Sequence, residues 1–484
     1  MLTNNGSGSQ HNYSGFGQNI NHGRDQNITQ NFGGAGIDLL WGAIKDVGAS
    51  HNAEQQVSRG ECLEGTREEV LRIIRRWRIP NSWEPPICWL SGAAGVGKTS
   101  IAMTLAKSFE DDEDDGLVES FFFFRPDPKR NNPAALMLTI AHGLVVTSHS
   151  IRQAIDDKIT ADRSILSARF EKQFEELVLQ PVMAQNLPLS EAPGLVVIID
   201  GLDECSDEQV QLRILRTITS SFLRFQRFPL RFLICSRPES WICNLLDPLV
   251  DEGTIKHIVL DKSSEPARDI RKYFIHEFQE ICRSSKYRDV PFPNPWPSPE
   301  QLDCLVFRSD GQFSYAATAV RFVKQPYSYP LDQLNAILAY DPALRPSQST
   351  FHKLDCLYHV VLAANPNHDQ VVPILAAIIV LSSYHGRDVE KSRGLPLPAP
   401  TLEFIELLLD LPPGKVGLTV RAMHSVLNIR GRQDGIRIYH TSFTDYLRDQ
   451  TRSGDFYINE TAQRHFLGQR WLQALSRERI AKYR

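Results

Sequence analysis

At 484 residues the chain exceeds the roughly 100 to 200 residues of one packed unit, which excludes a lone small domain and leads us to expect two to four. Hydrophobic residues make up 42% and charged residues 23%, an ordinary globular balance. Fifty-three basic against 57 acidic side chains leave a net charge of −4, so no global basic field marks a nucleic-acid binder.

Residues 1–36 differ from everything after them: Asn, Gln, Gly and Ser dominate, and Arg24 and Asp25 are their only Lys, Arg, Asp or Glu residues. Gln10, Gln18 and Gln26 recur at a constant step that Gly15 and Gly23 also keep, and Asn19-Ile20 returns as Asn27-Ile28, a degenerate octad repeat. Such a segment cannot build a packed core alone. It reads either as a flexible, disordered polar tail or as an amyloid-like assembly module, in which stacked strands align amide side chains in ladders.

Residues 37–60 follow as a short helix and linker, with Ile37, Leu39, Leu40, Ile44 and Val47 as the apolar positions of an amphipathic helix and Trp41 between them. Lys45 alone on the polar side favours docking onto the next domain over a membrane surface. From residue 61 to 260 short aliphatic runs alternate with helical stretches. Ile87–Leu90, Ser120–Phe124, Leu195–Asp200 and Phe232–Ser236 read as buried strands, so this region is expected to be an α/β domain built on a parallel sheet with helices on both faces. Helices then dominate residues 261–340 and 341–450, interrupted by a proline-rich connector at Pro291–Pro299 and a Pro/Gly-rich loop at Gly386–Pro400. A helix-plus-hairpin unit is expected between Leu402 and Arg448, and 451–484 closes the chain as a helical segment. The eight cysteines show no CxxC pairing, and the longest aliphatic runs, such as Ile374–Leu381, fall far short of a membrane span, so a cytoplasmic protein without a transmembrane segment is expected.

The chemistry concentrates after the first strand. In W-L-S-G-A-A-G-V-G-K-T-S, residues Gly92, Gly95, Gly97, Lys98 and Thr99 hold the G-x-x-x-x-G-K-T spacing between a strand and a helix, with Ser100 next in line. The glycines let backbone N–H groups face phosphate oxygens, Lys98 supplies a positive charge, and the Thr99 hydroxyl suits Mg²⁺, so ATP or ADP with Mg²⁺ is the expected ligand. In L-V-V-I-I-D-G-L-D-E-C, Asp200 ends a buried strand and points at the same metal position. Asp203 and Glu204 can polarise an attacking water or can cap the helix that follows. Arg237, just beyond the strand R-F-L-I-C-S, can sense a γ-phosphate or can pair with Glu239.

These motifs together resemble the NACHT family of signal-transducing NTPases, and in particular the fungal group found in many copies in mushroom-forming species. The resemblance runs from about Cys62 to Asp455 and includes C-L-E-G-T-R, F-F-F-F-R-P-D-P-K-R-N-N-P, I-I-D-G-L-D-E-C, L-I-C-S-R-P-E, A-R-D-I-R-K-Y-F and S-Y-A-A-T-A-V-R-F-V. I-R-I-Y-H-T-S-F-T-D-Y-L is similar to the winged-helix signature of animal members, and implies that His440 contacts the β-phosphate of ADP and locks a winged-helix domain against the NTPase domain. The chain departs from the pattern at Gln312, where relatives carry an apolar residue, and no proline follows Gly311. No repeat with a period of about 30 to 45 residues follows the winged-helix motif, so the family's usual sensor array has no counterpart here.

The resemblance implies a nucleotide-gated switch in fungal immunity, non-self recognition or cell death. ADP would hold it closed, ATP exchange would open it into a self-associated oligomer, and slow hydrolysis would reset it. Residues 6–34 would pass the assembled state to a downstream effector. The alternative is a motor or remodelling ATPase whose turnover is the function, against which stand the absence of a visible pore domain and of a basic groove.

Overall fold

A computed structural model of the chain describes residues 34–476 except 57–59, 80–83, 112–115, 185–193, 206, 225–229, 261–263, 326–327, 341–350 and 385–398. The octad repeat and most of the Gly386–Pro400 loop therefore lie outside the described residues.

Five parallel strands form one sheet: β1 (Ile87–Gly92), β2 (Leu117–Phe122), β3 (Leu195–Asp200), β4 (Leu230–Ser236) and β5 (Ile255–Leu260), in the order β2-β3-β4-β1-β5. Each strand is short, and β1 and β4 are predominantly apolar and buried along their whole length, as expected where helices cover both faces. The pleat divides the core in two. Cys88, Leu90, Ile198, Leu233 and Cys235 face the helices α2 (Glu68–Arg78) and α3 (Lys98–Asp111), whose Ile74, Trp77, Leu105 and Phe109 are fully buried or nearly so. Ile87, Trp89, Val197, Ile199 and Ile234 face the opposite way. There they meet α1 (Ala35–Ile44), α4 (Ala134–Thr147), α5 (His149–Ala161), α6 (Glu208–Arg224) and α7 (Ser240–Asp251). Helix α4 is apolar nearly all round because it lies between the sheet and the outer helices α1 and α5. The α1 helix docks as its single apolar face suggests, burying Ile37, Leu40 and Ile44, and its first N–H groups donate to Asp156 Oδ1 from Gly36 (2.9 Å) and Ile37 (3.0 Å).

Two strand readings change. The strand expected at Ser120–Phe124 runs over Leu117–Phe122, because Phe124 turns out of the sheet and its N–H donates to Arg130 O across the loop that follows. Strand β5 was not read from the sequence, since Lys256 and His257 interrupt its aliphatic run. As an edge strand it tolerates them: Lys256 pairs with Glu84 at 2.9 Å, and His257 stacks on Trp89 with ring centroids 4.0 Å apart.

A second, helical body shares one continuous core from Ile270 to Leu467. It comprises α8 (Ser264–Arg283), α9 (Pro299–Ser309), α10 (Phe313–Val323), α11 (Pro330–Ala339), α12 (His352–Ala363), α13 (His368–Tyr384), α14 (Leu402–Leu409) and α15 (Lys415–Arg421). A two-stranded antiparallel hairpin, β6 (Leu427–Asn428) and β7 (Arg437–Ile438), then leads into α16 (Thr441–Arg448), and α17 (Glu460–Ser476) follows. The Pro291–Pro299 connector is anchored, not loose. Phe292 and Trp296 pack against this core, and Ser298 starts α9 with a capping box to Gln301. Among the described residues no helix is long and apolar enough to cross a membrane.

Candidate nucleotide site and the clamp above it

The loop from Gly92 to Lys98 joins β1 to α3 at the carboxyl end of the sheet. Gly95 and Gly97 adopt φ of +81° and +102°, values that glycine reaches without a Cβ clash, so their presence lets the loop curl around the start of α3. Lys98 is the first residue of α3 and is buried; its Nζ donates to Gly92 O at 2.7 Å and Ala93 O at 3.0 Å. Burial lowers its pKa, and Asp203 and Asp200 oppose that shift. Thr99 Oγ1 donates to Asp200 Oδ2 at 2.8 Å, which brings the two expected metal-binding oxygens together from positions a hundred residues apart in the chain. Ser100 lies in the first turn of α3, its carbonyl accepting from Thr104 Oγ1 at 2.8 Å.

The carboxylates beyond β3 have other tasks than capping. Asp207, not Asp203 or Glu204, caps α6, accepting from Gln209 N (2.8 Å) and Val210 N (3.1 Å). Asp203 Oδ1 accepts from Arg237 N at 2.9 Å, and its Oδ2 lies 3.1 Å from Arg237 Nε. Arg237 turns to Asp203 and Asp445, with Nη2 at 3.1 Å from Asp445 Oδ2, and not to its neighbour Glu239. Burial disfavours its charge, yet Asp445, Asp203 and Glu204 hold its pKa above the ordinary arginine value.

The pairs reach into the helical body and form a clamp. Thr441 Oγ1 donates to Glu204 Oε1 at 3.2 Å and accepts from Arg237 Nη2 at 3.2 Å. Arg125 extends the clamp: its N–H donates to Glu204 Oε2 (3.1 Å), its Nη2 to Asp203 O (3.1 Å) and its Nη1 to Asp445 Oδ1 (3.5 Å). His440 is the N-cap of α16, its Nδ1 accepting from Ser442 N at 3.1 Å, an arrangement that leaves the proton on Nε2. Burial, then the positive charges of Arg237 and Lys98, lower its pKa to about 3, so the ring is neutral at physiological pH. Arg125, Thr441 and Asp445 were not singled out in the sequence, although all three lie inside motifs that were.

The first turn of α10 closes the loop from the other side. Ser314 N donates to Gly95 O at 3.0 Å, and a Cβ on Gly95 would fall 2.1 Å from Ser314 Oγ. Arg67, the last residue of C-L-E-G-T-R, donates from Nη2 to Val96 O at 2.6 Å, receives Asp269 on its backbone N–H at 2.9 Å and lies over the Phe313 ring. The apolar-to-Gln change at 312 is accommodated by burying the side chain at the α10 N-cap, at 4% exposure, with no hydrogen-bond partner for its Oε1 among the described residues.

A strand, a phosphate-type loop and a helix, with a carboxylate from a neighbouring parallel strand on the loop's threonine, define a P-loop NTPase. Residues 65–237, which hold every site residue expected from the sequence except His440, match the family described as Nephrocystin 3, N-terminal. No curated protein matches the chain. Among solved structures it is similar to the Walker-type ATPase of Pyrococcus abyssi, at 13% identity and a TM-score of 0.35 over 81% of this chain and 99% of that one. It is also similar to the ORC2 protein of Aeropyrum pernix in its ADPNP-ADP complexes, at 12% identity and a TM-score of 0.32 over 86% and 96% of the two chains.

Proposed function

We propose that the chain is a nucleotide-gated switch of the NACHT type, in which the state of the Gly92–Thr99 cradle decides whether the helical body stays clamped to the NTPase domain. The observation that carries this reading is the Arg237–Asp445 and Glu204–Thr441 clamp, which joins the loops beyond β3 and β4 to the first two turns of α16. We read residues 261–340 as a helical domain and 341–450 as a helical and winged-helix domain, with α14, α15, the β6–β7 hairpin and α16 as the winged helix.

The residues present suit ATP or ADP with Mg²⁺. Thr99 Oγ1 and Asp200 supply the hydroxyl and carboxylate oxygens that Mg²⁺ favours, and the metal would neutralise phosphate charge there. Backbone N–H groups of the glycine loop and Lys98 would hold the β- and γ-phosphates, and neutral His440 has an Nε2 proton to donate to a diphosphate. With a diphosphate bound, Arg237 keeps Asp445. When a γ-phosphate enters, Arg237 has a more highly charged oxygen to bind and releases Asp445, which frees α16. Glu204 or Asp203 would then polarise water for a slow, resetting hydrolysis. Freed bodies self-associate and bring residues 6–34 of several copies together, at a high local concentration that favours contact with a downstream effector.

Hydrogen exchange tests the gating step. Amides of Ile436–Arg448 and of Phe123–Arg130 are expected to exchange slowly with ADP and faster, as one group, with a non-hydrolysable ATP analogue. Unchanged exchange in both segments would contradict the gate.

A further inference from the structure

A cleft of about 300 Å³ opens beside α16, lined by none of the glycine-loop residues. One wall is the loop after β2, from Phe124 to Arg130; the other is the β7–α16 segment with the end of α13. The cleft spans the two bodies and lies at the lower end of the size range of small-molecule sites.

Its walls are apolar at Val47, Phe124, Pro126, Ile379, Ile436 and Ile438, and its charged side chains are five basic against three acidic. Three of the five basic side chains already have carboxylates: Arg125 has Asp445, Arg130 has Asp127 and Arg448 has Glu460. Arg437 and Lys129 have none within ion-pair distance among the described residues, and the cleft's remaining carboxylate, Asp46, is exposed at the rim. Among the described residues the Arg437 guanidinium donates only to Gln55 O, at 3.4 Å. Burial, then the like charges of Arg130 and Arg430, lower its pKa, and Asp127 and Glu54 oppose that only in part, so its cation is held at a cost that a bound anion would relieve.

We propose that this cleft is a second ligand site, distinct from the glycine loop, that takes a small organic phosphate ester: the phosphate between Arg437 and Lys129, the organic body against Phe124, Pro126 and Ile436. The site does not depend on the switch reading. It offers that reading an input, because Thr441 and Asp445 line the cleft and also hold Arg237.

The test uses the full chain loaded with one equivalent of ADP, so that the glycine loop is filled without an excess that could itself enter the cleft, and titrates phenyl phosphate by calorimetry at low salt, with benzyl alcohol as the uncharged control. Saturable binding of phenyl phosphate alone is expected. Arg437→Gln is expected to weaken it at least tenfold and, with a strained cation gone, to raise the melting temperature of the ligand-free protein; opposite signs on stability and binding separate a site from a structural role. Should Arg437→Gln fail to fold, exposed Lys129→Gln decides, with an expected loss of threefold or more. No saturable binding, equal binding of benzyl alcohol, or undiminished affinity in the variant that decides would overturn the proposal.

Discussion

Replacing Asp445 by Asn removes one charge from the clamp while keeping the shape of the side chain. Asp445 Oδ2 lies 3.1 Å from Arg237 Nη2, with side-chain exposures of 22% and 18%, so the pair is neither buried nor fully solvated. At that distance, with an effective dielectric of about 20, the gross attraction is about 5 kcal/mol. Desolvation offsets most of it, and truncation measurements bracket such a pair between about 1 kcal/mol at the surface and 3 to 5 kcal/mol when buried. Arg237 keeps Asp203, with Oδ2 at 3.1 Å from its Nε, and Arg125, whose longer 3.5 Å contact to Asp445 is also lost, is 36% exposed, so neither cation is left buried and unpaired, and the loss should sit near the lower bound, about 1 to 2 kcal/mol. That is a roughly 5- to 30-fold rise in the fraction of molecules with α16 undocked. Hydrogen exchange of Thr441–Arg448 amides with ADP bound should accelerate by the same factor, while the strands β1, β3 and β4 keep wild-type protection. Unchanged exchange in α16 would refute the clamp, and equal acceleration in the sheet would show that Asp445 supports the whole fold instead.

Other substitutions follow from the same geometry. Lys98→Ala takes the buried cation from the cradle and should weaken ADP binding roughly 10- to 100-fold by calorimetry, with little change in the unfolding midpoint. Gly95→Ala forces a Cβ to within 2.1 Å of Ser314 Oγ at a φ of +81°, so a loss of about 1 to 3 kcal/mol in urea unfolding is expected, partly restored by Ser314→Gly. His440 has a folded pKa of about 3 against 6.5 when free, so the unfolded chain binds the extra proton first; its stabilising effect is complete above about pH 6.5 and is lost as pH falls toward 3. The difference in urea midpoint between wild type and His440→Gln should shrink between pH 7.5 and 4.5, and a constant difference would contradict a neutral, buried ring.

What the sequence disclosed and what it hid divide along the range of the interactions. The glycine loop is specified by eight consecutive residues, Gly92 to Thr99, whose spacing admits one backbone path between a strand and a helix. Asp200 was legible because five aliphatic residues before it force a buried strand to end there. The roles of Asp203 and Glu204 stayed open, since a helix start and a polar cluster draw on the same residue types; the structure gives the cap to Asp207 and turns the other two to Arg237, Arg125 and Thr441. The clamp was hidden because its halves are more than two hundred residues apart, and no local pattern sets Asp445 against Arg237. Strand β5 was missed because an edge strand can carry Lys256 and His257 where an inner strand could not. Arg67 and Ser314 are further cases of long-range contact, each reaching the glycine loop from an element whose motif gave no hint of that destination.

The central claim, that nucleotide state controls assembly, is tested most directly by the mass of the purified chain in light scattering, with ADP and then with a non-hydrolysable ATP analogue, beside the Lys98→Ala variant. A monomer with ADP and a discrete oligomer with the analogue, absent in the variant, is the expected result. A mass that ignores the nucleotide, together with rapid turnover, would contradict the switch and favour a motor ATPase.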